Sequence, residues 1–264
     1  MNEMTEGPPD LTSPPRRRRL GRSVFILPSI FTVGNIFCGY YAIVSTMRGN
    51  YDHAAQAIGI AIVLDFLDGR IARLTNSATD FGLQLDSLAD VISFGIAPSI
   101  LAFVWGLSIV NHGLGWTAAF TFTICGAMRL ARFNIGGRDM KHFVGLPIPA
   151  GGGTIAAIVH FFVEPVNTRI GAILMVATVF MLAFLMVSTL RYSSLKNLTL
   201  GKKSHLTILV LALLVALIYN YSNWTLLSLA VAYVASGLVS RIYSLMRHKR
   251  PSDEIPLADP LQHR

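Results

Sequence analysis

Eight stretches of this 264-residue chain are apolar enough to cross a bilayer or nearly so, at 25–47, 54–73, 85–105, 116–133, 149–163, 170–190, 206–219 and 224–246. A hydrocarbon core about 30 Å thick takes roughly 20 helical residues to cross. With no water to satisfy the backbone, the spanning segments must be helices or a closed barrel. Runs of this length, without strict alternation, predict an all-α integral membrane protein, a polytopic helical bundle of about eight transmembrane helices. The runs 149–163 and 206–219 are short and would tilt little or sit partly shielded by protein. If either failed to cross, the C-terminus would change sides.

Composition agrees: 53% of residues are hydrophobic and 14% charged, against about 25% charged in soluble domains. The expected organisation is a disordered basic segment over 1–23, one transmembrane domain over 24–247 and a polar tail over 248–264. No small-residue cleavage site follows the first run, which is therefore read as a retained span. Cys38 and Cys125 lie in apolar runs and match no disulfide or metal spacing.

All of the 22 lysines and arginines except Arg48 and Arg169 fall on one side of an eight-span arrangement. By the positive-inside rule that side is cytoplasmic, giving a multi-pass protein of the inner cell membrane with both termini in the cytoplasm. The cluster Arg16 to Arg19 with Arg22 opens that pattern. The net charge of +8 is thus mostly topogenic, and nucleic acid is not an expected partner, because no binding module accompanies the basic residues. No internal repeat, P-loop or dinucleotide glycine fingerprint occurs. Gly151 to Gly153 reads as close helix packing.

Four carboxylates inside or beside the second and third runs need a reason, since ionisable groups in a membrane default to function. At about 100° per residue, Asp65 and Asp68 share a helix face, flanked by Gly69, Ala72 and Arg73. Asp86 and Asp90, four apart, share a face of the next helix with Gly82 and Ser93. The short connection over 75–80 makes the two helices neighbours, so the four acids can converge. Such a cluster repels itself unless a cation is present. All-oxygen ligation suits Mg²⁺, Mn²⁺ or Ca²⁺ rather than zinc, and Arg73 offers a fork for phosphate. A phosphate ester handled at a membrane surface is the implied substrate.

The spacing Asp65-x2-Asp68-Gly69-x2-Ala72-Arg73-x8-Gly82-x3-Asp86-x3-Asp90 resembles, at every position, the signature of the CDP-alcohol phosphatidyltransferases. Residues 85–98, 129–134 and 145–151 resemble the phosphatidylserine synthase branch of that family. So does the start of the first span, Leu27-Pro28 with Phe31-Thr32 and Gly34-Asn35, except that Ser29 stands where the branch commonly has Asn. The resemblance runs from about 27 to 152. It implies a six-helix core with two added helices, homodimerisation, and transfer of a phosphatidyl group from CDP-diacylglycerol to an alcohol, L-serine in this branch, with release of CMP.

Carried over residue by residue, the resemblance makes Asp65, Asp68, Asp86 and Asp90 ligands of two divalent ions, Mg²⁺ or Mn²⁺, with Asp65 and Asp86 bridging. Asp90 is the expected general base. Pro28, Ser29, Gly69, Ala72, Arg73, Thr79 and Gly82 would meet the CDP-lipid, and Thr79 has a competing role as a helix cap. Arg129, Arg132 and Asn134 would hold the serine acceptor, whose carboxylate sets it apart from a polyol. Against this stands the ordinary habit of border arginines to reach toward headgroups. His142, His160 and His205 read as interface or surface residues. Alternatives are another acceptor (glycerol phosphate, inositol or choline) or an ion pathway in a transporter.

Overall fold

The computed structural model describes residues 26–74, 79–135, 145–188, 190, 217 and 220–247, and these are helical with no strand among them. The chain runs through α1 (Ile26–Met47), α2 (Tyr51–Leu74), α3 (Asp80–Asp90), a π-helical segment Val91–Ile96, α4 (Ala97–Trp105), a 3₁₀ turn Leu107–Ile109, α5 (His112–Ile135), α6 (Ile148–Phe162), α7 (Arg169–Val187) and α8 (Ser222–Arg247). These match seven of the eight predicted runs. The remaining run, 206–219, lies outside the described residues apart from Leu217, as do the predicted N-terminal segment, the C-terminal tail, His142 and His205.

Three helical stretches are long and apolar enough by themselves to cross a membrane: Ile30–Met47, Asp80–Trp105 and Arg169–Val187. The Ile148–Phe162 helix is apolar but shorter. Both α2 and α5 are long enough, at 24 residues each, but their charged residues lower their apolarity. In the bundle Asp65, Asp68 and Arg129 turn toward other helices, whereas Arg70 and Arg132 are exposed.

Local chemistry explains the ordering of helices. The turn after α1 is closed by Gly49 in the left-handed region (φ +78°), with Gly49 N–H bonded to Thr46 O at 3.0 Å and Asn50 N–H to Ser45 O at 2.9 Å. This is the backbone conformation that glycine adopts without steric cost, and it folds α2 back antiparallel to α1. Prolines at the start of α6 lack N–H groups that a helix could not use there. The segment before α6 is joined to the far end of α7 by Leu146 N–H to Leu185 O at 3.0 Å and Gly145 N–H to Leu190 O at 2.9 Å.

A buried core including Phe94, Leu101, Phe122, Ile155, Leu182 and Met186 links the helices, while Phe37, Tyr40, Phe66, Leu174 and Phe184 face outward. Apolar side chains facing out are what a bilayer requires. At the end of the bundle away from Asp86, His160 bridges three helices: its Nδ1 meets Asp52 Oδ1 at 2.5 Å and its Nε2 meets Ser222 Oγ at 3.0 Å. His160 is thus a buried fastener of α2, α6 and α8.

Candidate active site

Asp65 and Asp68 lie one turn apart on α2, and Asp86 and Asp90 one turn apart on α3. Oxygen atoms of Asp65, Asp86 and Asp90 all lie within 4.8 Å of one another, and the Asp65 and Asp90 carboxyls are within hydrogen-bonding reach. Asp68 is buried beside this trio, and its Oδ2 accepts the Thr32 hydroxyl from α1. The four predicted acids are therefore brought together, three in one knot and the fourth held by a neutral donor.

The π-helical segment begins at the residue after Asp90. Insertions of this type widen a helix and often mark functional sites. Two glycines let neighbouring backbones approach it: a Cβ on Gly39 would stand 2.8 Å from Ser93 Cα, and one on Gly152 would stand 2.8 Å from Phe94 O. Ser93 Oγ donates to Asn35 O at 2.8 Å. The segment that follows Asp90 is therefore closely packed from two sides, and Asp90 itself is 8% exposed.

Helix α5 runs antiparallel along the same element. Thr123 Oγ1 meets Ser99 Oγ at 3.0 Å and Gly95 O at 3.4 Å, and Asn134 Nδ2 donates to Ser87 Oγ at 3.0 Å. Between these two contacts lies Arg129, whose guanidinium interacts electrostatically with Asp90 and with the Tyr233 phenol of α8. Of the predicted acceptor group, Arg129 thus turns toward Asp90, Asn134 ties α5 to α3, and Arg132 is exposed.

Among the predicted CDP-lipid residues, Thr79 caps α3, accepting Gly82 N–H at 3.0 Å. Gly69 has open space where a Cβ would be, and Ala72 is half-buried on the same stretch of α2. Backbone positions of Pro28, Ser29 and Arg73 fall within α1 and α2, but their side chains lie outside the described set.

Sequence reasoning gave no role to Thr32, Asn35 or Tyr233. A signal for the first two was present: they are polar residues three apart in an apolar run, which puts them on one face of α1. Tyr233 carried no comparable signal.

Three carboxylates with converging oxygens and no competing Cys or His make a donor set that fits a hard divalent cation. Asp90 Oδ1, buried without a hydrogen-bond partner, fits the same reading. Chemically the site offers clustered anionic oxygens, an adjacent buried guanidinium and an open face beside Gly69.

A family model, CDP-alcohol phosphatidyltransferase, matches residues 25–187. The chain is 36% identical over 200 residues to a CDP-diacylglycerol--serine O-phosphatidyltransferase of Helicobacter pylori, covering 73% of this chain and 82% of the relative. It is 37% identical over 171 residues to the protein of that description from Bacillus subtilis, covering 65% of this chain and 92% of the relative. For the one from Methanocaldococcus jannaschii the values are 35% over 177 residues, 67% and 78%.

Proposed function

Since this chain belongs to the CDP-alcohol phosphatidyltransferase family, we propose that its acidic cluster is the catalytic centre of a CDP-diacylglycerol--serine O-phosphatidyltransferase. The enzyme transfers the phosphatidyl group of CDP-diacylglycerol to the hydroxyl of L-serine and releases CMP, a step of phospholipid biosynthesis. The observation that carries the chemistry is the convergence of Asp65, Asp86 and Asp90 within 4.8 Å on apolar helices.

Asp65, Asp68, Asp86 and Asp90 would hold two divalent ions, Mg²⁺ or Mn²⁺. Ions held there would supply positive charge to screen the pyrophosphate and the leaving CMP phosphate. Asp90 takes the proton of the serine hydroxyl, since an alcohol with a pKa far above 7 needs a positioned acceptor as it attacks. The serine oxygen then bonds to the lipid-bearing phosphorus, and the bond from that phosphorus to the CMP oxygen breaks. The open side of Gly69, with Ala72 and Gly82, lets the CDP moiety lie close to the helices. Arg73 pairs with phosphate, and Pro28, Ser29 and Thr79 border the nucleotide. Arg129 faces the acceptor's carboxylate, with Arg132 and Asn134 at the border of that region.

The centre opens to the cytoplasm, with both termini on that side. The described contacts support an even number of crossings. Leu190 is bonded near the start of α6 and Ser222 near its end, so these two residues stand at opposite ends of α6. A homodimer in the inner membrane is the expected state.

Purified protein in detergent, given CDP-diacylglycerol and Mn²⁺ or Mg²⁺, should release CMP on addition of L-serine. Release with glycerol phosphate, inositol or choline, and none with serine, would reassign the acceptor. No release with any alcohol would refute the transferase reading.

A further inference from the structure

Three buried polar groups around the acidic cluster have no hydrogen-bond partner: both side-chain atoms of Asn35, Oδ1 of Asp90 and Nε of Arg129. Asn35 is 1% exposed, and its backbone carbonyl is already taken by Ser93. A buried amide without partners is unfavourable enough that it calls for a ligand.

Helix register places it. α1 and α2 are antiparallel and paired at Thr32 and Asp68, so one turn deeper Asn35 comes level with Asp65. α1 and the π-helical segment are parallel and paired at Asn35 and Ser93, which puts Asn35 one turn from Asp90. Asn35 therefore lies level with Asp65 and one turn to the membrane-interior side of Asp90, on the α1 face that carries Thr32. Arg129 approaches Asp90 from the opposite helix, α5.

We propose that Asn35 is an acceptor-binding residue whose side-chain oxygen takes the ammonium group of the amino-acid substrate. The unpartnered groups are the complement of serine: an acceptor for its hydroxyl proton on Asp90, a donor for its carboxylate on Arg129, and an acceptor for its ammonium on Asn35. This deepens the proposed function and rests on serine being the acceptor. It assigns recognition of the amino group to the first helix, since the arginines only donate and the carboxylates are given to the divalent ions in the proposed function.

The test compares L-serine with 3-hydroxypropionate, which lacks the ammonium, and ethanolamine, which lacks the carboxylate, in wild-type enzyme and in Asn35→Leu, Asn35→Asp and Arg129→Ala. Leucine has nearly the shape of asparagine and no polar atoms, so Asn35→Leu should fold with an unchanged or higher melting temperature. It should raise the KM for serine at least tenfold, leave the KM for CDP-diacylglycerol within threefold, and abolish the preference for serine over 3-hydroxypropionate. Asn35→Asp, which keeps an oxygen in place, should retain that preference. Arg129→Ala should instead erase the preference for serine over ethanolamine. If Asn35→Leu keeps the wild-type KM for serine and the wild-type preference, or if it loses its fold and a folded Asn35→Ala keeps both, the assignment is overturned. Wild-type enzyme that releases CMP with another alcohol and never with serine would refute the serine reading itself, a separate outcome.

Discussion

The hydroxyl of Thr32 donates to Asp68 Oδ2, and this bond joins the first helix to the acidic cluster. Asp68 is thereby oriented by a neutral partner, whereas Asp65, Asp86 and Asp90 face one another. Thr32→Val keeps the branched shape and removes the donor. We expect it to fold normally and to need about tenfold more Mn²⁺ or Mg²⁺ for half-maximal activity, as is usual when a group orienting a metal ligand is lost. A metal titration of CMP release measures this, and an unchanged half-saturation point would show that Asp68 needs no such support.

Asp65 and Asp86 are two members of the trio. Asp65→Asn and Asp86→Asn are each expected to abolish turnover while the protein remains monodisperse in detergent. EDTA should silence the wild type, and excess Mn²⁺ should restore it. Manganese binding, followed by electron paramagnetic resonance, should fall in both variants. Full activity in EDTA would end the metal assignment.

Asp90 is the proposed proton acceptor. Asn at this position keeps the shape and one oxygen but cannot take a proton. Asp90→Asn should bind CDP-diacylglycerol with near-normal affinity and lose at least about a hundredfold in kcat, the lower end of what a general base contributes. Turnover at the wild-type rate would exclude Asp90 as the base.

Gly39 lets the π-helical segment pack against α1, since a Cβ there would lie 2.8 Å from Ser93 Cα. The obstacle is backbone, which cannot swing aside as a side chain would. Gly39→Ala should cost about 1 to 3 kcal/mol of stability, the usual range for overpacking, and should lower kcat by displacing Asp90. Thermal unfolding in detergent with parallel kinetics tests both effects. An unchanged melting temperature would mean that the segment tolerates a shift.

Topology can be read chemically. In a background with Cys38 and Cys125 replaced by Ser, a cysteine introduced at Asn111 should react with an impermeant thiol reagent applied to intact cells. One introduced at Ser77 should react only after the membrane is opened. The reverse pattern would invert the orientation given by the positive charges.

Much of the molecule was legible in the residues alone, because the relevant physics is local. A run of apolar residues needs no partner to be read as a membrane helix, and α1 and α7 follow from that. The pairs Asp65 and Asp68, and Asp86 and Asp90, share faces because three- and four-residue spacings do so on any α-helix. That the pairs meet follows from the short connection between their helices. The runs that became α2 and α5 were legible as well, although their charged residues lower their apolarity.

Whatever depends on the register between helices was decided only by the tertiary structure. Thr32 and Asn35 reach the cluster from more than 25 residues away in sequence, because the Gly49 turn sets how α1 lies along α2. Both Arg129 and Arg132 sit on one stretch of α5, yet only Arg129 turns to Asp90, since Asn134 bonded to Ser87 sets the rotation of that helix. The wide turn after Asp90 has no counterpart in a 3.6-residue period, and it is held by contacts with α1 and α6 across the bundle. Hydrophobic periodicity reports which face of a helix is buried, but a side chain's partner depends on where the next helix lies, and that is settled by close packing among all of them at once.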